Sequence, residues 1–170
     1  MLTALIPTLL AVAGHVATRA EPAARPLGEV YFGFDSSALS DTSRAKLQKP
    51  VAFALANPSA RLVLDAHTDP IGTAPYNIGL SIRRATSVRG ALIEMGVPRN
   101  QIVLAYYGED GAARASYAED RRVTVWQSKA PLNAVIAQTF ARGGTAVTWG
   151  RPMTMDQLAE KPSAVAISKR

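Results

Sequence analysis

The sequence contains no cysteine and only two histidines, His15 and His67, in 170 residues. Without cysteine the chain has no disulfide, no thiolate zinc site, no cysteine nucleophile and no lipidated N-terminal cysteine. The two histidines are far apart in the sequence, and neither has ligand-type neighbours at helical spacing. We therefore expect no metal site, no cofactor and no catalytic centre built on imidazole.

The body of the chain, residues 21–127, also has almost no excess of positive charge. The formal net charge is +6, but residues 21–127 hold twelve basic and eleven acidic residues, whereas residues 128–170 hold six basic and two acidic ones. A nucleic-acid-binding domain usually carries its positive charge on one face of the folded body. Because the excess lies in the C-terminal segment, we do not expect nucleic acid as a partner.

The N-terminal segment is apolar but short. Residues 1–13 form an uncharged apolar run, which as a helix would span roughly 20 Å of a bilayer core that is ~30 Å thick. Residues 1–20 therefore indicate a cleaved signal peptide, although Pro7 interrupts the run and no basic residue precedes it. An uncleaved anchor and an internal helix remain alternatives. Residues 21–28 form a Pro-rich linker.

The body of the chain alternates strand and helix patterns. Apolar residues at every second position predict strands at 30–35, 61–66, 101–107 and 122–126, and apolar spacings of three and four predict helices at 41–56 and 77–95. Pro50 lies inside the first helical pattern and predicts a kink or a break there. The order indicates an α+β fold with two helices packed on one face of a mixed sheet.

The C-terminal segment, residues 128–170, has weaker patterns. Apolar residues from Leu132 to Phe140 predict a short amphipathic helix that ends at Gly143-Gly144. Residues 145–149 predict a further strand. From Arg151 onward the sequence has little periodicity.

The stretch HTDPIGTAPYNIGLSIRRA, from His67 to Ala85, is the most informative one for function. Asp69 follows the end of a predicted strand, and Arg84 lies fifteen positions later in the next helix. Both can point into the crevice at the carboxyl edge of the sheet, where ligands bind in open sheets with helical crossovers. There they could pair with each other. They could also hold the two ends of a zwitterion, with a ligand ammonium on Asp69 and a ligand carboxylate on Arg84.

Several separate motifs occur in order over residues 29–127. They are Phe34-Asp35, HTD, LSIRRA, the Gly-Val-Pro after the helix, Tyr107-Gly108-Glu109 and DRRV. Together they resemble the OmpA-like peptidoglycan-binding domain that OmpA C-terminal domains, Pal lipoproteins and MotB share. The resemblance implies a β-α-β-α-β-β domain with a mixed four-stranded sheet. It also implies non-covalent binding of the peptide stem of peptidoglycan through meso-diaminopimelate.

The resemblance also implies a set of site residues. Asp69 and Arg84 match the two diaminopimelate-binding side chains of the family. The pocket-lining and bordering positions are Thr68, Asn77, Leu80, Phe34 and Asp35, and the supporting positions are His67, Arg83, Arg121 and Arg122. One of the two arginines in DRRV is expected to support the loop that carries Asp69.

The expected function is that of a non-enzymatic anchor in the periplasm, associated with the cell wall and peripheral to the outer membrane. The alternative is a structural subunit of an envelope-spanning secretion, motility or conjugation machine, in which residues 128–170 dock a partner protein. An enzyme on the same polymer needs a pair of carboxylates about a cleft, or a nucleophile with its base, or zinc. The sequence offers no convincing set of this kind, and we expect no transmembrane span.

Overall fold

The computed structural model describes residues 26–111, 114–144 and 146–149. The predicted signal peptide, residues 21–25 of the linker and everything from residue 150 onward lie outside the described residues. The domain body and the first part of the C-terminal segment can be compared with the predictions.

The described residues form one five-stranded sheet and several helices. The strands are β1 (Gly28–Tyr31), β2 (Arg61–His67), β3 (Ile102–Gly108), β4 (Arg122–Ser128) and β5 (Ala146–Trp149). The helices are α1 (Asp41–Ala45), α2 (Gln48–Ala56), α3 (Ala74–Glu94), α4 (Tyr117–Asp120) and α5 (Leu132–Ala141), with a short 3₁₀ turn at Arg99–Gln101.

The strand order in the sheet is β1-β4-β2-β3-β5. The β2–β3 pair is parallel, and the other three pairs are antiparallel. This mixed sheet confirms the predicted α+β fold, and β2 to β4 lie close to their predicted positions. The first strand differs from its prediction at 30–35, because β1 begins at Gly28 and ends at Tyr31. Strand β5 extends the sheet at the β3 edge, and both β5 and α5 lie where the sequence predicts a strand and a helix.

The first helical region is broken, as Pro50 predicts, but the break precedes the proline. Ser40 caps α1 by accepting a hydrogen bond from the backbone N–H of Ser43 at 3.2 Å. The helix then ends at Ala45, and α2 begins at Gln48. Pro50 lies in the first turn of α2, where the backbone N–H that proline lacks has no intrahelical partner.

Helix α3 connects β2 to β3, and this connection positions the site. The helix begins at Ala74, three residues earlier than predicted, because the Thr73 hydroxyl caps it by accepting from the N–H of Tyr76 at 3.4 Å. Since β2 and β3 are parallel, the helix has to start near the end of β2 and run back along the sheet. The end of β2 and the start of α3 therefore lie at the same edge of the sheet.

The two faces of the sheet are covered by different elements. The larger core lies on the face of α2 and α3 and includes Leu47, Leu64 and Leu92, all essentially buried. The opposite face carries a smaller cluster, in which Val135 of α5 packs with residues of β2 and β3. The predicted packing of α2 and α3 on one face is confirmed, and α5 covers part of the other face.

Candidate functional site

Three segments meet at the carboxyl end of β2. They are the loop after β1, the loop after β2 and the first turns of α3. The Thr68 N–H donates to the carbonyl oxygen of Gly108 at 2.7 Å, which joins the loop after β2 to the end of β3. Gly108 has a φ of 58°, and a Cβ there would lie 2.8 Å from Cδ1 of Ile78. The positive φ and this close approach of β3 to α3 both favour glycine at this position.

Arg84 lies fully buried beneath the loop that follows β1. Its guanidinium donates three hydrogen bonds to backbone carbonyls, from Nε to Ser36 at 2.9 Å, from Nη1 to His67 at 3.0 Å and from Nη2 to Gly33 at 3.1 Å. Its Cζ also lies 5.3 Å from the ring centroid of Phe32. Because a guanidinium has five N–H groups, two donors remain.

Burial lowers the pKa of Arg84 to about 10, and the negative charge of Asp69 acts in the opposite direction. Arg84 therefore stays protonated at neutral pH. Because Arg84 donates to the carbonyl of His67, two residues before Asp69, the two predicted site residues lie at the same end of β2.

Asp69 is 4% exposed and is paired with Arg121. The Nη1 of Arg121 donates to Oδ2 of Asp69 at 3.1 Å, and the N–H of Ile71 donates to Oδ1 at 3.3 Å. An ionised carboxylate has about four acceptor positions, so part of its capacity remains unused. Among the described residues, the ion pair of Asp69 is with Arg121 rather than with Arg84.

Two buried polar atoms near Asp69 have no hydrogen-bond partner in the described part of the chain. One is Oγ1 of Thr68, the residue before Asp69, and the other is Oδ1 of Asn77, at the start of α3. Both residues are fully buried. The Asn77 amide nitrogen, by contrast, donates to the carboxylate of Glu109. Leaving a buried polar group unpaired costs about 1–3 kcal/mol, so such atoms are typical of sites completed by a ligand or water.

Side chains with exposed surface surround this buried group of residues. The Tyr76 hydroxyl donates to the carboxylate of Asp35, which has a φ of 49°. The Arg83 Cζ lies 5.6 Å from the ring centroid of Tyr76. Phe34, next to Asp35, is 62% exposed. Leu80 lies one turn beyond Tyr76 on α3 and, unlike these side chains, is buried, with 4% exposure.

The two remaining predicted supporting residues lie beside the site. His67 stacks on Tyr107 with ring centroids 4.6 Å apart, and its Nδ1 lies 3.0 Å from the carbonyl oxygen of Asp110. Burial lowers the pKa of His67 to about 4, so the ring is neutral at pH 7. Arg122 lies 3.9 Å from Asp120, so of the two arginines in DRRV it is Arg121 that reaches Asp69.

Sequence reasoning missed several groups that the structure brings to this edge. Tyr76 and Ile71 were not assigned a role, and Glu109 appeared only as part of a motif. The carbonyl groups of Gly33 and Ser36 were also missed, because a backbone carbonyl leaves no signature in side-chain type. For Tyr76, the sequence did offer a signal of a role at the site, because this residue directly precedes Asn77 at the start of α3.

Two negative observations apply to the described residues. No helix among them is long and apolar enough to cross a bilayer. Nor do they contain a group of three or more histidines, aspartates or glutamates able to hold a metal ion.

Comparison with known proteins gives consistent matches over the domain body. The model of the OmpA family matches residues 31–124. A peptidoglycan-associated lipoprotein of Haemophilus influenzae is 35% identical over 101 residues, which are 56% of this chain and 66% of that protein. The corresponding lipoprotein of Pasteurella multocida is 36% identical over 101 residues, 56% of this chain and 67% of that protein. The match thus spans about two thirds of these lipoproteins.

Solved structures show the same architecture. The peptidoglycan-associated lipoprotein of Burkholderia pseudomallei has a TM-score of 0.53 at 32% identity, covering 59% of this chain and 90% of that one. The C-terminal domain of Helicobacter pylori MotB has a TM-score of 0.52 at 21% identity, covering 67% of this chain and 92% of that one, and at this identity it shows the fold alone. The family match ends before α5 and β5.

Proposed function

The chain belongs to the OmpA family, and on this premise we propose that it binds the peptide stem of peptidoglycan non-covalently and anchors an envelope protein or complex to the cell wall. The names of its lipoprotein relatives support this polymer as the ligand. In this proposal the protein acts in the periplasm, associated with the wall and peripheral to the outer membrane, and it binds without catalysis.

The proposed contact is with meso-diaminopimelate, whose free end carries an ammonium and a carboxylate. The observation that carries this proposal is that Asp69, with unused acceptor capacity, lies two residues after His67, whose carbonyl accepts a hydrogen bond from the buried Arg84 cation. A ligand ammonium takes the free acceptor positions of Asp69. The unpartnered Oγ1 of Thr68 and Oδ1 of Asn77 supply further polar contacts at the same edge.

Arg84 meets the ligand carboxylate from beneath the loop that follows β1. Its side chain has no exposed surface, so direct contact with the carboxylate requires this loop to lift. Lifting the loop frees the donors that now bind Gly33 and Ser36, in addition to the two unused N–H groups. The hydrogen bond to the carbonyl of His67 keeps the guanidinium oriented meanwhile.

A site of this kind binds one stem weakly. Each charge-assisted hydrogen bond contributes roughly 1.5–3 kcal/mol, and the ligand first has to compete with the ion pair between Asp69 and Arg121. A polymer with many stems raises the effective concentration when the anchor is itself tethered or oligomeric. Weak single contacts and firm attachment to the polymer are therefore compatible.

Co-sedimentation with sacculi that contain meso-diaminopimelate tests the proposal. We expect the wild-type protein to pellet with sacculi and free meso-diaminopimelate to compete. Asp69→Asn keeps the side-chain shape but removes the negative charge, and we expect it to abolish pelleting. Glu94→Gln is the matched control, because this carboxylate is exposed at the far end of α3. Pelleting of a folded Asp69→Asn variant at the wild-type level would contradict the proposed contact.

A further inference from the structure

A surface groove lies between α5 and the end of β4, on the sheet face opposite α2 and α3. Its volume is about 410 Å³, and it is lined by residues 126–128 of β4, by Val63 of β2 and by Val135, Gln138 and Ala141 of α5. All of these except Val63 lie beyond residue 124, where the family match ends. The groove, which we name the α5 groove, is therefore built mainly by residues outside that match.

The interior of the α5 groove is apolar. Val63 and Val135 are each 3% exposed, and the partly buried ring of Trp126 packs in the same cluster. Ala141, at the end of α5, is exposed at the mouth of the groove. Clefts of this volume with apolar linings are typical of binding sites, and an apolar side chain gains free energy when it is buried in one.

The charges around the α5 groove have one sign. Residues 121–149 contain four basic residues and no acidic one, and two of the four pair with carboxylates elsewhere in the domain. Lys129 is exposed and directly follows Ser128 at the groove, and Arg61 lies opposite Ser128 on β2. Neither Lys129 nor Arg61 forms an ion pair with any described residue. Their positive charges are therefore available to a partner.

Arg142 also lines the groove and keeps unused donors. Its Nη1 donates to Oδ2 of Asp65 at 2.9 Å, and its Nε donates to the carbonyl oxygen of Gln138 at 3.3 Å. A guanidinium has five N–H groups, so three remain, and this side chain is 47% exposed. Asp65 itself is buried behind Arg142. A carboxylate that approaches from solvent thus meets donors and no exposed negative charge.

We propose that the α5 groove binds an acidic segment of a partner protein. One apolar side chain of that segment enters the groove, and neighbouring carboxylates bind Arg142 and Lys129, so that shape and charge are both complementary. A nucleic acid would leave the apolar interior unused. The groove lies toward the start of β2, whereas Asp69 follows its end, so this inference does not rest on the proposed function and both sites can be occupied together.

Titration of the full chain, labelled with nitrogen-15, tests the proposal by NMR. The probes are three acetylated and amidated pentapeptides in which two leucines alternate with three glutamates, three glutamines or three lysines. We expect the glutamate peptide to shift the indole N–H signal of Trp126, which lines the groove. It should bind about tenfold more tightly than the glutamine peptide, because charge-assisted hydrogen bonds are stronger than neutral ones. The lysine peptide should not bind.

Two variants at exposed positions address the two halves of the proposal. Lys129→Gln removes one charge and should weaken binding of the glutamate peptide about three- to tenfold. Ala141→Trp fills the mouth of the groove and should abolish the shift of the Trp126 signal. Lys49→Gln is the matched control, because Lys49 is an exposed lysine on α2, on the other face of the sheet.

The outcomes decide the proposal. Tighter binding of the glutamate peptide that is weakened in Lys129→Gln and unchanged in Lys49→Gln supports it. Equal affinities for the glutamate and glutamine peptides, or an equal loss in the two lysine variants, overturn it. A Trp126 signal that shifts with protein concentration in the absence of peptide would assign the groove to a second copy of this chain, and would also overturn it. Ala141→Trp should still pellet with sacculi, so the stem site is scored separately.

Discussion

Arg84 acts through the shape of its guanidinium as well as its charge. Its planar fork reaches three carbonyl groups that belong to two different segments. The single ammonium of lysine is a compact charge on a flexible stem and cannot reproduce this arrangement. The side chain proposed to meet the ligand is therefore also the one that holds the site together.

Arg84→Lys should lower the free energy of unfolding by about 2 kcal/mol or more, because hydrogen bonds to a buried charged group are lost. Urea unfolding at pH 7 measures this change. Arg83→Lys is the control, since Arg83 is the neighbouring arginine and is partly exposed. Equal stability of the two variants would show that the three carbonyl contacts contribute little.

Asp65 and His67 lie on the same face of β2 and have opposite pKa shifts. Burial raises the pKa of Asp65 from 3.8 to about 6, against the effect of Arg142, and burial lowers the pKa of His67 from 6.5 to about 4. The contribution of Asp65 to stability is full below pH 3.8 and is lost as the pH rises through 6. The contribution of His67 is full above pH 6.5 and is lost as the pH falls through 4. Each contribution to the free energy of unfolding amounts to about 3 kcal/mol. Because the two change in opposite directions over nearly the same pH range, their pH dependences nearly cancel.

In Asp65→Asn only the pH dependence due to His67 should therefore remain, so the free energy of unfolding should fall as the pH drops from 6.5 to 4. His67→Gln should show the opposite slope, a rise as the pH drops from 6 to 4. Denaturant unfolding at pH 4, 5, 6 and 7 measures both slopes. If both variants keep the wild-type pH dependence, the two buried groups do not titrate as described.

For single residues, the sequence predicts which side chains share the site but not which of them form hydrogen bonds with each other. The motif spacing identified Asp69 and Arg84, and the structure places both at the end of β2. It could not show that Arg121, 52 positions away, is the partner of Asp69. That contact depends on loop conformations that tertiary packing decides, and the sequence pattern carries no direct signal for them.

Among the secondary-structure elements, α5 depends most on tertiary contacts. Val135 is 3% exposed against the small cluster on β2 and β3, and Arg142, just after the helix, binds Asp65 at 2.9 Å. A ten-residue helix is marginal on its own, so packing has to stabilise it. Its amphipathic spacing predicted the helix, but the face of the sheet that it covers required the structure.

Val135→Ala should lower the free energy of unfolding by about 1–3 kcal/mol, because it removes buried methyl groups and leaves a cavity. Pelleting with sacculi should be unaffected, since α5 lies away from Asp69. Urea unfolding and co-sedimentation measure the two quantities. Gln138→Ala, an exposed position on the same helix, serves as the control. Loss of pelleting in folded Val135→Ala would indicate that α5 also shapes the site.

For the whole molecule, alternation of strand and helix patterns sufficed to predict the topology class. The predicted helix at 41–56 still differs from the two helices observed, because the chain breaks at Lys46 and Leu47, before the proline. The strand order could not be read from the sequence, since β4 inserts between β1 and β2 through contacts distant along the chain. Local pattern fixes the type of each element, and long-range packing fixes its neighbours.

The attachment of β5 to β3 has a consequence for how this protein should be divided into fragments. The family match ends at residue 124, yet β5 occupies the outer edge of β3, and all seven residues of β3 are buried. A fragment cut after Ser128 would leave an apolar strand with unpaired N–H and C=O groups, which is a template for aggregation. We expect such a fragment to self-associate in size-exclusion chromatography, whereas a chain that retains β5 stays monodisperse. We therefore expect the unit that unfolds cooperatively to extend through β5, beyond the residues of the family match, so expression boundaries belong after β5.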